Sequence, residues 1–439
     1  MVLGSGRRGK DLWDRARLVI PGGVNSATRA VGSPFALERA DGAYVWDADG
    51  RRYVDYHAAF GAILLGHRHP AIERAVASST KDIDLVGLGV TELEVQLGEA
   101  VRDAIPSAEM SISCMSGTEA TFQAVRLARG TTNRRYLVKV QGGFHGGHDA
   151  VARNVISPPD RAFRLDPLSS GILSEALDHT LIAEFNDLSS IETLFRAFPD
   201  QIAAIIVEPV PHNVGVLLPN PGYLEGLRDM TRSEGALLIF DEVITGFRHA
   251  LGGFQEIAGV NPDLTSFGKA MGNGYPIAGL AGSRELMRNF NSADGSVLLA
   301  GTFNGHPVGA TAALATLEQL RTTDHYDRVW ALGDRMRDGL SNVLEELEIP
   351  AQVAGIGSVF VVYFLEGEIS GYRDLMRNDD AAYIEFHRRM TDRGFLMLPM
   401  TLKRNHISGA HTAEDIDSTL DAAREVLGSM RSAGMFKKG

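Results

Sequence analysis

The sequence predicts an α/β fold in which a mainly parallel β-sheet is covered by helices on both faces. Apolar strand-like runs at 111–115, 136–140, 202–207, 236–240 and 277–281 alternate with segments of helical length at 119–129, 188–198 and 221–233. Such alternation is typical of βαβ units. Two of these runs are followed directly by acidic residues, Glu208 and Asp241. Open parallel sheets bind their ligands at these carboxyl ends.

The segments on either side of this alternating region predict a second, smaller structure. Residues 43–47 and 52–56 alternate in polarity around Asp49-Gly50, which predicts a β-hairpin. A helical pattern extends from about 309 to 347, and a last helix is predicted at 413–431, where the residues from Thr412 resemble a capping box. We expect borders near Gly61 and Gly309, which divide the chain into an N-terminal segment of a small domain (1–60), a large ligand-binding domain (61–308) and a C-terminal small domain (309–439).

Composition narrows the class of protein. The 439 residues are 44% hydrophobic and 22% charged, as in ordinary globular proteins. A net charge of −12 without long basic runs argues against nucleic acid or an anionic membrane as partner. The single cysteine, Cys114, excludes an intrachain disulfide, and we find neither a membrane-spanning run nor a signal-peptide core. Composition therefore predicts a protein of the reducing cytoplasm without nucleic-acid or membrane partners.

Asp241 and Lys269 are the residues that point most directly to a chemistry. Asp241 ends the apolar run 236–240, and Lys269 lies in a glycine-rich segment with Gly268 and Gly272. Pyridoxal phosphate requires such a pair, because its aldehyde forms a Schiff base with a lysine and its ring nitrogen is kept protonated by a carboxylate. Taken alone, the acid also suits a metal or ribose site, and the lysine suits an ordinary surface loop.

Two further motifs are consistent with this cofactor. Ser116-Gly117-Thr118 lies between a predicted strand and a predicted helix, where backbone N–H groups favour a phosphate; the alternative is a plain N-cap. Phe144 lies in a glycine-rich segment and offers a ring for stacking. His145 and His148 in the same segment leave zinc as an alternative, but their spacing matches no common zinc motif, and we predict no metal site.

Three other polar residues are candidates by their position. Glu208 and Asn213 follow the run 202–207 and are expected to face the same crevice as Asp241. Thr302 presents a hydroxyl ahead of the long helical pattern, although an ordinary N-terminal turn explains it equally well.

With these motifs in order, the chain resembles the class III, fold-type I pyridoxal-phosphate enzymes. It looks most like the glutamate-1-semialdehyde 2,1-aminomutases and the related β- and ω-aminotransferases. The likeness extends from Pro21 to Ile416 and includes Leu65-Gly66-His67, Phe144-His145-Gly146, the run 241–248 and Gly268-Lys269. The resemblance implies a large cofactor-binding domain with a mainly parallel seven-stranded sheet between helices, and a smaller α+β domain formed from the N- and C-terminal parts. It also implies a homodimer with shared active sites.

The resemblance assigns roles to the candidate residues. Lys269 would bind the cofactor and move protons, and Asp241 would pair with the pyridine nitrogen. The cofactor contacts would be Gly117 and Thr118 at the phosphate, Thr302 at the phosphate of the other subunit, Val243 and Phe144 on the two ring faces and Asn213 at the 3-oxygen, with Ser116, His145 and Glu208 as further contacts. Arg29 matches the arginine that holds a substrate carboxylate.

Three positions depart from the aminomutase pattern. Phe144 replaces the usual tyrosine, Phe60 replaces the usual tryptophan, and Lys403-Arg404 stands in a region where that pattern is acidic. We assign Phe60 and Arg404, with Arg29, to substrate binding. The predicted function is an aminotransferase that moves an amino group from an amino acid, β- and ω-amino acids included, or from an amine to a 2-oxo acid. The alternative is the aminomutase, an isomerase of tetrapyrrole biosynthesis. A phosphate-ligand binding protein without activity and a racemase or epimerase are further alternatives.

Overall fold

The computed structural model describes residues 6–30, 35–290 and 295–436. The chain forms two compact units. Unit 1 comprises Met1–His69, His325–Glu368 and Arg377–Gly439, and unit 2 comprises Pro70–Asp324 and Ile369–Met376. Unit 1 is therefore built from N- and C-terminal parts, as expected for the smaller domain. The domain borders at 61 and 309 stay a prediction.

The strands, in chain order, are β1 (Leu37–Asp41), β2 (Tyr44–Asp47), β3 (Arg52–Asp55), β4 (Met110–Cys114), β5 (Tyr136–Val140), β6 (Thr180–Ala183), β7 (Ile202–Val207), β8 (Leu237–Glu242), β9 (Leu264–Phe267), β10 (Ala278–Gly282), β11 (Gln352–Ile356), β12 (Val359–Tyr363), β13 (Phe395–Leu396) and β14 (Asn405–His406). The helices of unit 2 are Pro70–Ser79, Glu92–Ala104, Gly117–Thr132, Ser174–Leu177, Leu188–Ala197, Tyr223–Ser233, Phe254–Ala258, Arg284–Met287, Pro307–Thr322 and Tyr372–Leu375. Those of unit 1 are Arg7–Val19, His325–Glu346, Asp380–Asp392 and Ala413–Ser432, and short 3₁₀ turns lie at Pro21–Gly23, Ala27–Arg29 and, in unit 2, Lys269–Gly272.

Unit 2 contains the predicted α/β sheet. Its seven strands follow the order β4-β10-β9-β8-β7-β5-β6, and β10 alone is antiparallel, to both of its neighbours. Every residue of β7 is buried, which explains its continuous apolar run, because helices cover both faces of such a sheet. The prediction of a mainly parallel seven-stranded sheet is confirmed.

Two details differ from the sequence analysis. The segment that precedes Lys269 was not recognised as a strand, yet it forms strand β9, in which Thr265 and Ser266 are buried. Because these two residues carry hydroxyl groups, the segment does not appear as a continuous apolar run in the sequence. The long helical pattern from 309 to 347 is two helices, Pro307–Thr322 in unit 2 and His325–Glu346 in unit 1.

Unit 1 contains two small sheets, β1-β2-β3-β13 and β11-β12-β14. The predicted hairpin is confirmed as β2 and β3, which pair antiparallel. The hydrophobic core of unit 1 includes Phe360, Phe386, Met390 and Leu427, which are fully buried. The predicted capping box begins the last helix, where Thr412 Oγ1 accepts from the N–H of Asp415. Among the described residues, no helix is long and apolar enough to span a membrane.

Candidate active site

Unit 2 contains a cavity of about 280 Å³ at the carboxyl ends of its central strands. It is lined by Met115, Ser116, Gly117, Thr118, Phe144, His145, Gly146, Glu208, Asp241, Val243, Ile244, Lys269, Tyr275, Pro276 and Ile277. The structure thus brings together most of the predicted cofactor residues from five separate strand ends. Sequence analysis missed Tyr275, Pro276 and Ile277, which lie between the lysine turn and β10.

Asp241 is held in a fixed orientation. Its side chain is 4% exposed, and both carboxylate oxygens accept hydrogen bonds. Oδ1 accepts from Ser266 Oγ at 2.9 Å and from the N–H of Val243 at 3.2 Å, and Oδ2 accepts from His145 Nδ1 at 2.8 Å. Sequence analysis missed Ser266, although parallel pairing of β8 with β9 places it directly opposite Asp241.

Lys269 begins the turn that follows β9. It is half-buried and has φ of +41°, a left-handed conformation that costs a non-glycine residue about 1–2 kcal/mol. Gly268 precedes it, and a Cβ there would lie 3.1 Å from Ala278 Cβ on the adjacent strand. Strain of this kind is characteristic of functional sites, where the surrounding structure imposes a required geometry.

The N-terminus of the helix Gly117–Thr132 forms one wall of the cavity. Ser116 caps this helix by accepting from the N–H of Glu119 at 3.3 Å, so the N-cap alternative is also correct. Gly117 is required by close packing, because a Cβ at this position would approach Val243 Cγ1 to 2.8 Å. The free N–H groups of the first turn, together with Thr118, make this wall suited to an anion.

Phe144 and Glu208 form an adjacent part of the wall. The Phe144 side chain is 39% exposed, so a face of its ring is available, and its N–H donates to Glu208 Oε1 at 3.0 Å. Glu208 Oε2 accepts from the N–H of His212 at 3.1 Å. Glu208 therefore fixes the backbone that carries Phe144. His145 bonds to Asp241, and within the described ranges no group of three or more His, Cys, Asp or Glu side chains is arranged to hold a metal ion.

Two predicted cofactor residues do not line the cavity. Asn213 is buried and donates from Nδ2 to the carbonyl oxygen of Gly142 at 3.1 Å. Thr302 is exposed, in the turn that precedes the helix Pro307–Thr322.

The three predicted substrate residues all belong to unit 1. Phe60 lies in a segment, residues 57–61, that we call the Phe60 turn. Ala58, Ala59, Phe60 and Gly61 have φ of +47°, +49°, +59° and +86°, which is one turn of left-handed helix. Asp55 Oδ1 accepts from the N–H groups of His57 and Ala58, at 2.9 and 3.1 Å, and so supports the turn.

Arg404 and Arg29 are both close to the Phe60 turn. The buried Arg404 donates from Nη2 to the carbonyl oxygen of Phe60 at 3.1 Å and from Nε to His406 Nε2 at 3.3 Å. Arg29 is exposed on the short turn Ala27–Arg29. Burial lowers the pKa of His57; Asp55 opposes the shift, and the charges of Arg404 and Arg29 add to it. Two cations therefore act on one histidine of the Phe60 turn.

Comparison with known proteins identifies the family of this chain. The family model for class-III aminotransferases matches residues 26–421. The chain is 41% identical over 422 residues to a glutamate-1-semialdehyde 2,1-aminomutase of Methanosarcina acetivorans, which covers 96% of this chain and 98% of that protein. An omega-transaminase structure from Sphaerobacter thermophilus is similar with a TM-score of 0.91 at 32% identity, over 97% of this chain and 98% of that chain. A beta-phenylalanine aminotransferase structure from Variovorax paradoxus has a TM-score of 0.88 at 26% identity, over 97% and 94%.

The cavity of unit 2 fits pyridoxal 5′-phosphate. It offers a lysine amine, a buried carboxylate and a capped helix N-terminus, which are the groups that the aldehyde, ring nitrogen and phosphate of this cofactor require. Val243 packs so close to Gly117 that any side chain there would collide with it, so glycine is needed at the helix end where the phosphate would bind. Pyridoxal 5′-phosphate is the cofactor, and the chain belongs to the class-III aminotransferase family.

Proposed function

We propose that the chain moves an amino group within a single substrate, as a glutamate-1-semialdehyde 2,1-aminomutase does. The observation that carries the enzyme class is the cavity that unites Lys269 and Asp241. The observation that favours the mutase is 41% identity, over 96% of the chain, to a protein of that name. The aminotransferase, predicted first from the sequence, is now the less supported of the two.

The proposed residue roles follow from chemistry. When bound, pyridoxal 5′-phosphate supplies an electron-withdrawing ring that stabilises negative charge on the substrate carbon. Lys269 Nζ would act first as a base that takes the proton from that carbon, and then as an acid that donates it to a second carbon atom. Asp241, fixed by Ser266 and His145, holds a negative charge against the ring nitrogen, and a preorganised charge of this kind lowers the barrier without reorganisation.

The remaining roles concern binding. We assign the phosphate to Ser116, Gly117 and Thr118, and the ring faces to Phe144 and Val243. Glu208 keeps Phe144 in place through its backbone N–H. The resemblance to the family assigns Asn213 to the 3-oxygen of the ring, although its amide bonds to Gly142 outside the cavity lining. Arg29 and Arg404 are assigned to a substrate carboxylate, because a guanidinium binds a carboxylate with two parallel hydrogen bonds. Phe60 is assigned to the substrate because it lies on the turn that Arg404 contacts.

A second candidate, amino transfer to a separate 2-oxo acid, is favoured by Arg404. Two cations act on the Phe60 turn, and an enzyme that admits an amino acid and then an oxo acid must bind a carboxylate twice. The similar structures named as transaminases support the same candidate.

The requirement for an acceptor separates the two candidates. Purified holoenzyme is incubated with glutamate-1-semialdehyde alone, and with β-phenylalanine with and without pyruvate or 2-oxoglutarate. The mutase proposal expects 5-aminolevulinate from the semialdehyde with no oxo acid present. Conversion of β-phenylalanine only when an oxo acid is supplied, with no reaction of the semialdehyde, would decide for the transferase.

We also propose a cytoplasmic homodimer with shared active sites. Thr302 is exposed, and so are the apolar side chains of Leu298 (72%) and Phe303 (54%) beside it, as expected for a residue that reaches a partner's phosphate. Cys114, the single cysteine, is buried and forms no disulfide, as expected in a reducing compartment. Light scattering at assay concentration tests the dimer, and a fully active monomer would contradict it.

A further inference from the structure

Lys139 is a fully buried cation at the end of strand β5. Its Nζ donates to three backbone carbonyl oxygens, those of Gly143 at 2.8 Å, Val151 at 3.3 Å and Arg153 at 2.5 Å. Three acceptors satisfy all the donors of an ammonium group. Among the residues that the structure describes, no carboxylate forms an ion pair with it.

The three carbonyl groups belong to one segment, residues 141–154, which we call the aromatic loop because it carries Phe144. Gly143 directly precedes Phe144, whereas Val151 and Arg153 lie near the end of the loop, where the carbonyl oxygen of Asn154 accepts from the N–H of Gly142 at 2.9 Å. One ammonium group therefore joins the beginning of the aromatic loop to its end.

The same loop contacts the cavity at several points. His145 donates to Asp241, and the carbonyl oxygen of His145 accepts from Thr121 Oγ1 at 2.5 Å. The N–H of Gly147 donates to Thr118 Oγ1 at 3.3 Å. A displacement of the loop would therefore move the Phe144 ring and change the hydrogen bond that orients Asp241.

Burying this cation is unfavourable. Burial lowers the pKa of Lys139 to about 7; Glu208 opposes the shift and Arg153 adds to it. A methionine would fill a similar volume without the cost of desolvating a charge. What a methionine lacks is the ability to hold three carbonyl groups at one point.

We propose that Lys139 is a positioning residue for the cofactor, which fixes the aromatic loop and through it the Phe144 ring and the His145–Asp241 hydrogen bond. The inference rests on the proposed roles of Phe144, His145 and Asp241. Lys139 itself touches neither cofactor nor substrate; it acts through the loop.

The matched control is Arg153, a second buried cation at the base of the same loop. It donates to Asn154 Oδ1 and to the carbonyl oxygens of Leu177, Thr180 and Arg164, none of which lines the cavity. Lys139→Met and Arg153→Met should both lower the unfolding temperature, because both leave buried carbonyl groups without donors. Only the first removes the bond to Gly143, next to Phe144.

The experiment measures cofactor affinity of the apo proteins and the visible circular dichroism of the bound cofactor, which reports on its surroundings. We expect Lys139→Met to weaken affinity roughly tenfold or more, as for loss of a charge-assisted hydrogen bond, and to change the dichroism, while Arg153→Met does neither. The inference would be overturned if Lys139→Met had the cofactor affinity and dichroism of the wild type. It would also be overturned if Arg153→Met showed the same changes as Lys139→Met. If Lys139→Met does not fold, Lys139→Gln, which keeps an amide donor, undergoes the same comparison with the same criteria. A wild-type protein that takes up no cofactor would instead contradict the proposed function.

Discussion

The cofactor cavity of unit 2 and the Phe60 turn of unit 1 are built differently. In the cavity, the polar side chains lie at the ends of strands and bond to one another, as Asp241 does to Ser266 and His145. In unit 1, Phe60 lies on a left-handed turn of four residues, and Arg29 is exposed on a 3₁₀ turn. The first arrangement is fixed by the sheet, whereas the second depends on local contacts of short loops.

This difference explains why the chemistry is easier to assign than the substrate. Two of the three departures from the aminomutase pattern, Phe60 and the Lys403-Arg404 pair, lie in unit 1. Changes in the cavity of unit 2 should therefore affect every substrate alike. Changes at the Phe60 turn should affect substrates according to their carboxylate groups, and the predictions below test this distinction.

Lys269→Ala should have the largest effect. Removing the amine removes both the covalent link to the cofactor and the proposed proton carrier, so turnover should be lost for every substrate. The fold should persist, because Lys269 is half-buried and carries backbone strain that alanine does not increase. Single-turnover assays with two unrelated amino donors measure the loss of activity. Residual activity with only one of the donors would contradict the expectation that changes in the cavity affect every substrate alike.

Asp241→Asn should lower the rate for all substrates by on the order of a hundredfold or more, as for loss of one preorganised polar group. The amide is nearly the same size and retains an acceptor for Ser266 Oγ, so the cavity should persist. The kcat values for two donors measure the effect, and Ser266→Ala is the control that loosens the carboxylate without removing its charge. An unchanged kcat would show that Asp241 does not act on the cofactor ring.

Arg404→Ala should have a selective effect. Substrates with a carboxylate should lose about 1.5–3 kcal/mol of binding, the scale of a hydrogen bond to a charged group. An amine donor without a carboxylate is the internal control, and its KM should change little. An equal loss for both would mean that Arg404 only supports the Phe60 turn, to which it donates through the carbonyl oxygen of Phe60.

The smallest effect concerns pH and unit 1. Burial lowers the pKa of His411 to about 4, from an ordinary value of 6.5. Because the unfolded chain takes up this proton first, the free energy of unfolding should fall as the pH falls from 6.5 towards 4. His411→Asn keeps an acceptor for the N–H of Ser408 but cannot take up a proton. Between pH 7 and 4.5, the free energy of unfolding should therefore fall less in this variant than in the wild type, by on the order of 2 kcal/mol. Urea unfolding at the two pH values measures this, and equal losses would contradict it.

The sequence predicted the sheet well because its central strands are continuous apolar runs, such as β7. It missed β9, because the hydroxyls of Thr265 and Ser266 interrupt the apolar run. Ser266 can be buried because its Oγ donates a hydrogen bond to Asp241 on the neighbouring strand, and this pairing is not visible in the sequence. The left-handed turn at Phe60 was also beyond prediction. Alanine and phenylalanine carry no signal for positive φ, and the conformation depends on Asp55 and on the distant Arg404.

The central claim is that Lys269, in the cavity of unit 2, carries the cofactor. Reduction of the purified holoenzyme with borohydride, followed by peptide mass spectrometry, tests it most directly. We predict that the cofactor is fixed on the peptide that contains Lys269, and that Lys269→Ala gives no labelled peptide although it still binds the cofactor reversibly. A label on any other lysine, or a colourless protein that takes up no pyridoxal phosphate, would contradict the account.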